Sequence, residues 1–187
     1  MVKKKTCVFI SGQGSNLKNL ISRSRDCSFP IKINLVISNN KRAKGIYYAK
    51  KYKIPYILIN TKIRNYEFKI LKNLKKFKIE FICLAGYMKM ISDKIINKFE
   101  KKIINIHPSL LPKFKGLNTF SRVLKSNEVK TGCTVHYVND KLDSGKIITK
   151  KIFFLKKYEK ESDIKRKTHS LEYLAFPEAI IKLYRKS

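Results

Sequence analysis

The chain has 187 residues, enough for one sizeable hydrophobic core but short for two domains of ordinary size, so we expect a single domain over residues 1–187. Its 43 Lys and Arg against 13 Asp and Glu give a net charge of +30, yet a hydrophobic fraction of 43% excludes a wholly disordered chain. No apolar run approaches the ~18 residues of a membrane span, and the four cysteines form no C-x-x-C pair. We therefore expect a cytoplasmic protein without a metal site or membrane contact.

The positive charge by itself favours an anionic partner, such as a nucleic acid or a phosphorylated metabolite. The basic residues occur in almost every segment of the chain, however, and no basic-aromatic module of the RNA-recognition type accompanies them. A general enrichment in lysine explains the charge as well as a binding patch does, so nucleic acid is not the expected partner.

Short apolar runs alternate with amphipathic segments along the first hundred residues. The runs that predict strands are 6–11, 31–38, 56–60, 79–85 and 102–106, and helical spacing occurs at 16–24, in a stretch ending near 53, at 66–77 and at 93–99. This alternation predicts an α/β fold with an open, mostly parallel sheet flanked by helices. Ligands are then expected at the carboxyl ends of the strands.

The pattern changes after residue 112. The predicted elements are a helix at 119–126, strands at 132–138 and 146–154, and a C-terminal helix at 162–184 that is interrupted near Pro177. The short connection between the last two strands predicts an antiparallel extension of the sheet.

The loop after the first strand reads SGQGSN, residues 11–16. Glycines at the start of a helix allow backbone N–H groups to approach an anion, which suits a phosphate. A dinucleotide site is not indicated, because the third glycine of G-x-G-x-x-G is missing and residues 38–40 contain no acidic residue. A tight turn with a helix cap explains the loop equally well.

Two further segments carry polar residues at predicted strand ends. Asn105 and His107 are two residues apart, so they share one face of a strand that ends at Pro108. Asp140 and Asp143 lie in the turn NDKLDSG, residues 139–145. Each segment alone has an ordinary structural explanation, as a loop cap or as turn chemistry. Together, an amide, an imidazole and a carboxylate suit acyl transfer, in which an oxyanion develops and a proton moves.

Five blocks in register carry a resemblance to a known family. They are ISGQGSNL at 10–17, LAGYMKMIS at 84–92, NIHPSLLP at 105–112, GCTVHYVNDKLDSGKII at 132–148 and HSLEYLAFP at 169–177. In this order they closely resemble the phosphoribosylglycinamide formyltransferases, folate-dependent enzymes of purine biosynthesis. The resemblance implies a Rossmann-like formyltransferase fold with phosphate binding in the N-terminal half, folate binding in the C-terminal half and the site between them. It also implies transfer of a formyl group from 10-formyltetrahydrofolate to the amine of glycinamide ribonucleotide.

The resemblance implies a catalytic trio of Asn105, His107 and Asp143. Asn105 and a protonated His107 would donate hydrogen bonds to the tetrahedral oxyanion. Asp143 would favour the charged imidazole, so we expect His107 to titrate above its free pKa of about 6.5.

The remaining implied contacts divide between the two substrates. The contacts to glycinamide ribonucleotide are Gly14, Ser15, Asn16, His169 and Glu172. The contacts to the folate are Arg64, Met88, Lys89, Met90, Ile91, Asn105, Asn139, Asp140, Lys141 and Leu142. Lys89 stands where an arginine is common in the family, which removes bidentate carboxylate binding.

Several alternatives stay open at this point. Formyltetrahydrofolate hydrolase and methionyl-tRNA formyltransferase share the trio, but the first carries an N-terminal regulatory domain and the second a C-terminal RNA-binding domain. A basic, non-enzymatic nucleic-acid-binding protein rests on charge alone. His136 either lines the site or is a packed core histidine, and the protein is expected to be a monomer or a homodimer.

Overall fold

The structure is a computed structural model that describes residues 2–184. Its strands are β1 Lys4–Ile10, β2 Ile31–Ser38, β3 Tyr56–Leu58, β4 Phe81–Leu84, β5 Ile103–His107, β6 Lys130–Tyr137 and β7 Ile147–Phe154. Its helices are α1 Ser15–Ser24, α2 Gly45–Lys51, α3 Tyr66–Lys76, α4 Asp93–Lys98, α5 Thr119–Leu124 and α6 Glu161–Tyr184. The strand order is β3-β2-β1-β4-β5-β6-β7, and the chain divides into two compact units with the boundary between Ile104 and Asn105.

The first unit is built on parallel strands. β1 pairs in parallel with β2 and with β4, and β2 pairs in parallel with β3. The four consecutive residues from Cys7 to Ile10 are fully buried, which is typical of a strand covered on both faces. Leu17, Leu20 and Ile21 of α1 are buried at the i, i+3, i+4 spacing that the sequence showed. The predicted parallel sheet with flanking helices is confirmed.

The second unit contains the antiparallel extension. β6 and β7 pair antiparallel, with Lys130 opposite Phe154 and a register shift between Val135 and His136. α6 packs against both strands. The predicted extension of the sheet is therefore confirmed.

The predicted interruption of the last helix is wrong. α6 runs without a break from Glu161 to Tyr184 and contains Pro177 in its interior. A proline removes one helical N–H and crowds the preceding turn, so it ordinarily weakens a helix. Here Pro177 lies among Phe176, Ala179 and Ile180, all fully buried, and tertiary packing outweighs the local cost.

No helix among residues 2–184 combines the length and the apolar character needed to cross a bilayer.

Two glycines allow the loop after β1 to lie against the start of α2. Gly14, with φ of 74°, precedes α1, and the Gly45 N–H donates to the Gly12 carbonyl at 3.0 Å. A Cβ on Gly45 would lie 2.7 Å from Ile10 Cδ1 and 2.9 Å from Gly14 Cα. The backbone of the predicted phosphate loop therefore has its position only because neither residue carries a side chain.

We expect Gly45→Ala to lower the free energy of unfolding by about 1–3 kcal/mol, because the added methyl group overpacks this contact. The control is Gly12→Ala, whose Cβ would meet no heavy atom within 4 Å. Urea unfolding of both variants measures the difference. Equal stability of the two variants would contradict the packing argument.

Candidate active site

The structure brings Asn105, His107 and Asp143 into contact. The first two residues lie on one face at the end of β5, and Asp143 lies in the loop 138–146 that joins β6 to β7. His107 Nδ1 is 3.2 Å from Asp143 Oδ2, and Asn105 Nδ2 donates to Asp143 Oδ1 at 3.3 Å. The amide and the imidazole therefore meet at one carboxylate.

A second loop, residues 108–118 between β5 and α5, holds the carboxylate from the other side. The backbone N–H of Gly116 donates to Asp143 Oδ2 at 2.8 Å. Next to it, Lys115 Nζ donates to Ser144 Oγ at 2.5 Å. The position of Asp143 thus depends on two loops that are far apart in the sequence.

Both ring nitrogens of His107 face hydrogen-bond acceptors. Nε2 lies 2.8 Å from the carbonyl oxygen of Phe114, and Nδ1 faces the Asp143 carboxylate. A carbonyl and a carboxylate can only accept, so a doubly protonated ring satisfies both contacts and a neutral ring satisfies one. The site is therefore shaped to receive the imidazolium form.

Burial nevertheless lowers the pKa of His107 below its ordinary value. The Asp143 charge and the Phe114 carbonyl act in the opposite direction, and burial outweighs them. The expectation that His107 titrates above about 6.5 is thus wrong for this ligand-free state, because the ring is 5% exposed and the imidazolium loses most of its hydration.

At Asp143 the neighbouring groups outweigh the effect of burial on the pKa. Burial by itself would raise the pKa of this carboxyl, but the adjacent His136 ring, the hydrogen bond from the Gly116 N–H and the adjacent His107 imidazole together lower it below its ordinary value. The carboxylate consequently stays charged at neutral pH, with a side chain that is 9% exposed.

His136, at the end of β6, belongs to the same cluster. Its Nε2 lies 3.2 Å from Asn105 Nδ2 and 3.5 Å from Asp143 Oδ1, and its side chain is buried. The sequence left open whether this histidine lines the site or packs in the core. The structure shows that it is buried and also contacts two members of the trio.

In the first unit, the structure brings together two of the predicted binding segments. Gly14 precedes α1, and Ser15 and Asn16 form its first two residues. The segment 86–91, which follows β4, is tied to the loop after β1, because Met88 N–H donates to Ser11 Oγ at 2.8 Å. The segments thus meet at the carboxyl ends of adjacent parallel strands.

The predicted folate-binding residues of the first unit differ in exposure. Met88 and Met90 are more than half exposed, whereas Ile91 is buried. Lys89 is exposed, and so is Arg64, which lies in the turn before α3. Four of these five side chains are therefore accessible to a ligand.

The remaining predicted residues lie in the second unit. Asp140, Lys141 and Leu142 are exposed in the loop 138–146, and Asn139 is half-buried. On α6, the half-buried ring of His169 packs edge-to-face against Phe120 at 6.1 Å, and Glu172 is 5% exposed. Burial and the charge of Lys165 lower the pKa of His169. Whether these residues contact the substrates stays a prediction.

Sequence reasoning missed the residues that support the trio through the backbone. Besides the Phe114 carbonyl and the Gly116 N–H, Arg122 Nη1 donates to the Lys115 carbonyl at 2.6 Å, and its guanidinium lies 5.7 Å from the centre of the Phe114 ring. A main-chain donor or acceptor leaves no mark in the sequence. The turn residues around Gly116 were the one available signal.

This cluster is suited to polar stabilisation and to proton transfer. Asn105 supplies amide N–H groups, His107 supplies a ring that can carry a second proton, and Asp143 supplies the negative charge that favours it. No group of three or more His, Cys, Asp or Glu residues within residues 2–184 is arranged to hold a metal ion.

Replacing Asp143 by Asn should lower the pKa of His107 further, because the carboxylate charge that opposes burial is removed. An NMR titration of the His107 ring measures this change. The control is Asp140→Asn, an exposed carboxylate on the same loop, which should leave the pKa nearly unchanged. A His107 pKa that rises or stays constant in Asp143→Asn would contradict the assignment of the ion pair.

Comparison with known proteins agrees with this geometry. The formyl transferase family matches residues 4–180. A phosphoribosylglycinamide formyltransferase of Haemophilus influenzae is 38% identical over 178 residues, which are 93% of this chain and 84% of that protein. The trifunctional purine biosynthetic protein adenosine-3 of Drosophila pseudoobscura pseudoobscura is 39% identical over 184 residues, 95% of this chain, but the chain spans only 14% of that protein.

A crystal structure of the phosphoribosylglycinamide formyltransferase from Bacillus halodurans has the same fold. It matches with a TM-score of 0.93 at 30% identity and covers 98% of this chain and 96% of its own. The Rossmann-like formyltransferase fold that the sequence predicted is thereby confirmed. The chain belongs to the formyl transferase family, in the group of the phosphoribosylglycinamide formyltransferases.

Proposed function

We propose that this protein transfers the formyl group of 10-formyltetrahydrofolate to the amine of glycinamide ribonucleotide, yielding the N-formyl product and tetrahydrofolate in purine biosynthesis. The observation that carries the proposal is the contact of Asn105 and His107 with the buried Asp143 carboxylate. The match over 84% of the Haemophilus influenzae enzyme supports the same reaction.

The reaction proceeds by direct attack of the substrate amine on the formyl carbon. A tetrahedral intermediate forms, in which the formyl oxygen becomes an oxyanion. Asn105 stabilises this oxyanion through an amide N–H donor and His107 through the positive charge of its ring, because fixed donors and charges in a buried site are worth more than the same groups in water. The folate nitrogen then leaves. Because the substrate amine attacks the formyl carbon directly, no covalent enzyme intermediate is required.

His107 links this charge stabilisation to proton transfer. In the ligand-free protein burial lowers its pKa, but an oxyanion beside the ring favours the charged imidazole and adds to the effect of Asp143. We infer that the ring becomes fully charged as the reaction proceeds. The proton lost by the attacking nitrogen passes to the leaving folate nitrogen through His107 or a held water.

The phosphate of glycinamide ribonucleotide is assigned to Gly14, Ser15 and Asn16. Two features support this: the loop ends at the N-terminus of the ten-residue helix α1, and Gly14 has a positive φ that a side chain would strain. On α6, Glu172 is assigned to the ribose and His169 to the phosphate. They are three residues apart and thus neighbours on the helix surface.

The folate is assigned to the wall formed by Met88, Lys89, Met90 and Ile91, with Arg64 and the loop residues 139–142. The exposure of Met88 and Met90 supports this assignment, because flexible thioether side chains can cover a flat ring. Lys89 is a point charge for the folate carboxylates, where an arginine fork would bind them in a bidentate manner. The proposal includes a cytoplasmic, single-domain enzyme that acts as a monomer or a homodimer.

Asn105→Ala should lower kcat by about 100- to 1000-fold, because the oxyanion loses a donor. A steady-state assay of tetrahydrofolate formation measures the change. Asn73→Ala on α3 is the control, since the Asn73 side chain is half-buried and donates to the Lys69 carbonyl of the same helix. Near-normal turnover of Asn105→Ala would remove Asn105 from the mechanism.

The acceptor is tested by offering 10-formyltetrahydrofolate to the purified protein with glycinamide ribonucleotide, with water alone, or with charged initiator tRNA. We expect rapid tetrahydrofolate formation only with glycinamide ribonucleotide. Reaction with water alone would assign the protein to the formyltetrahydrofolate hydrolases. Reaction only with the tRNA would assign it to the methionyl-tRNA formyltransferases.

A further inference from the structure

We propose that His136 is a positioning residue for formyl transfer, which fixes the orientation of the Asn105 amide so that one amide N–H is directed to the oxyanion. The proposal rests on the proposed function, because it concerns how Asn105 is made ready for that reaction. The catalytic trio of Asn105, His107 and Asp143 does not include His136. The proposal therefore gives a defined task to a further, buried histidine.

The first step is the tautomer of the neutral His136 ring, that is, which of its two nitrogens carries the proton. Its Nδ1 lies 2.7 Å from the carbonyl oxygen of Tyr137, which can only accept, so Nδ1 carries a proton. In the neutral ring, Nε2 then presents a lone pair. This lone pair faces Asn105 Nδ2 at 3.2 Å.

The second step is the orientation of the Asn105 amide. Nδ2 has two N–H groups, and it faces two acceptors, His136 Nε2 at 3.2 Å and Asp143 Oδ1 at 3.3 Å. With the amide turned by 180°, its carbonyl oxygen would face a carboxylate oxygen and a ring lone pair, which is repulsive. The two neighbours therefore select one orientation, although amide nitrogen and oxygen have nearly the same shape.

The third step is the difference between the two neighbours. The carboxylate of Asp143 is shared, because it also accepts from the Gly116 N–H and faces His107. Its contact to Asn105, at 3.3 Å, lies just beyond the usual N–H···O range of about 2.7–3.2 Å. A small tilt of the whole planar amide brings the N–H on this side toward a stronger acceptor and keeps the other N–H within reach of His136.

A tetrahedral oxyanion is such an acceptor, because its oxygen carries a negative charge. This charge develops only as the reaction proceeds. Without His136 the amide can rotate about its side-chain bonds, and the donor must be oriented again in each turnover. Precise placement of a reacting group contributes strongly to rate, and a shift of about 1 Å can cost about 100-fold. His136 thus acts through Asn105 without touching the substrate.

Two substitutions separate the contacts of His136. His136→Gln places an amide oxygen near the position of Nε2 and keeps an acceptor for Asn105. His136→Asn places an amide N–H near the position of Nδ1 and keeps the donor to the Tyr137 carbonyl. We expect kcat to fall by about 10- to 100-fold in His136→Asn with little change in KM, and to be largely restored in His136→Gln.

The opposite order, with His136→Asn the more active variant, would overturn the proposal, because the contact to Tyr137 would then be the important one. A second test places His136→Asn in the Asn105→Ala background. We expect little further loss of kcat there, because the role of His136 passes through Asn105. A full additional loss would assign His136 an independent role and contradict the proposal.

A spectroscopic test does not depend on turnover. In ¹⁵N-labelled wild-type protein, the His136 ring should be the Nδ1–H tautomer, and the side-chain N–H groups of Asn105 should be protected from solvent exchange. This protection should persist in His136→Gln and be lost in His136→Asn, while the melting temperatures show that both variants are folded. An Nε2–H tautomer in the wild type would overturn the proposal.

These tests are distinct from those of the proposed function. If the wild type formylates no glycinamide ribonucleotide, the proposed function fails, whereas the tautomer and the exchange measurements still report on the contact between His136 and Asn105.

Discussion

The buried carboxylate of Asp143 organises the candidate site. Its Oδ1 faces Asn105 and His136, and its Oδ2 faces His107 and the Gly116 N–H. A carboxylate offers about four acceptor positions, so one side chain can orient an amide, an imidazole and a loop at the same time. Because these groups come from β5, β6 and two loops, the site takes shape only when all of these elements are in place.

Burying the charged Asp143 carboxylate costs free energy, which hydrogen bonds from its neighbours offset. Its side chain is 9% exposed, and removing a charge from water is unfavourable unless hydrogen bonds compensate. Its backbone also has a positive φ of 46°, which Asp tolerates better than most residues. The hydrogen bond from the Gly116 N–H helps to lower the Asp143 pKa and also holds the carboxylate beside His107. Stability of the loops and readiness for chemistry therefore depend on one network.

The protonation of His107 is a balance between solvation and its partners. Burial favours the neutral ring, whereas two acceptors at its nitrogens favour the charged ring. The protonation of a ring in this balance changes strongly when a further charge is placed nearby. An oxyanion supplies that charge only during the reaction, which suits a ring that must stabilise it and also pass on a proton.

The sequence by itself determined the alternation of strands and helices, the pairing of Asn105 and His107 on one face, and the family, because these depend on local periodicity and on motifs in register. The tertiary structure alone decided three further points. It kept α6 continuous through Pro177, since buried neighbours outweigh the local cost of a proline. It placed His136 against Asn105, since a strand's periodicity gives the face of a side chain but not its partner. It lowered the pKa of His107, since every residue that surrounds the ring removes some of its hydration. A motif that shows only the neighbouring aspartate does not reveal this loss.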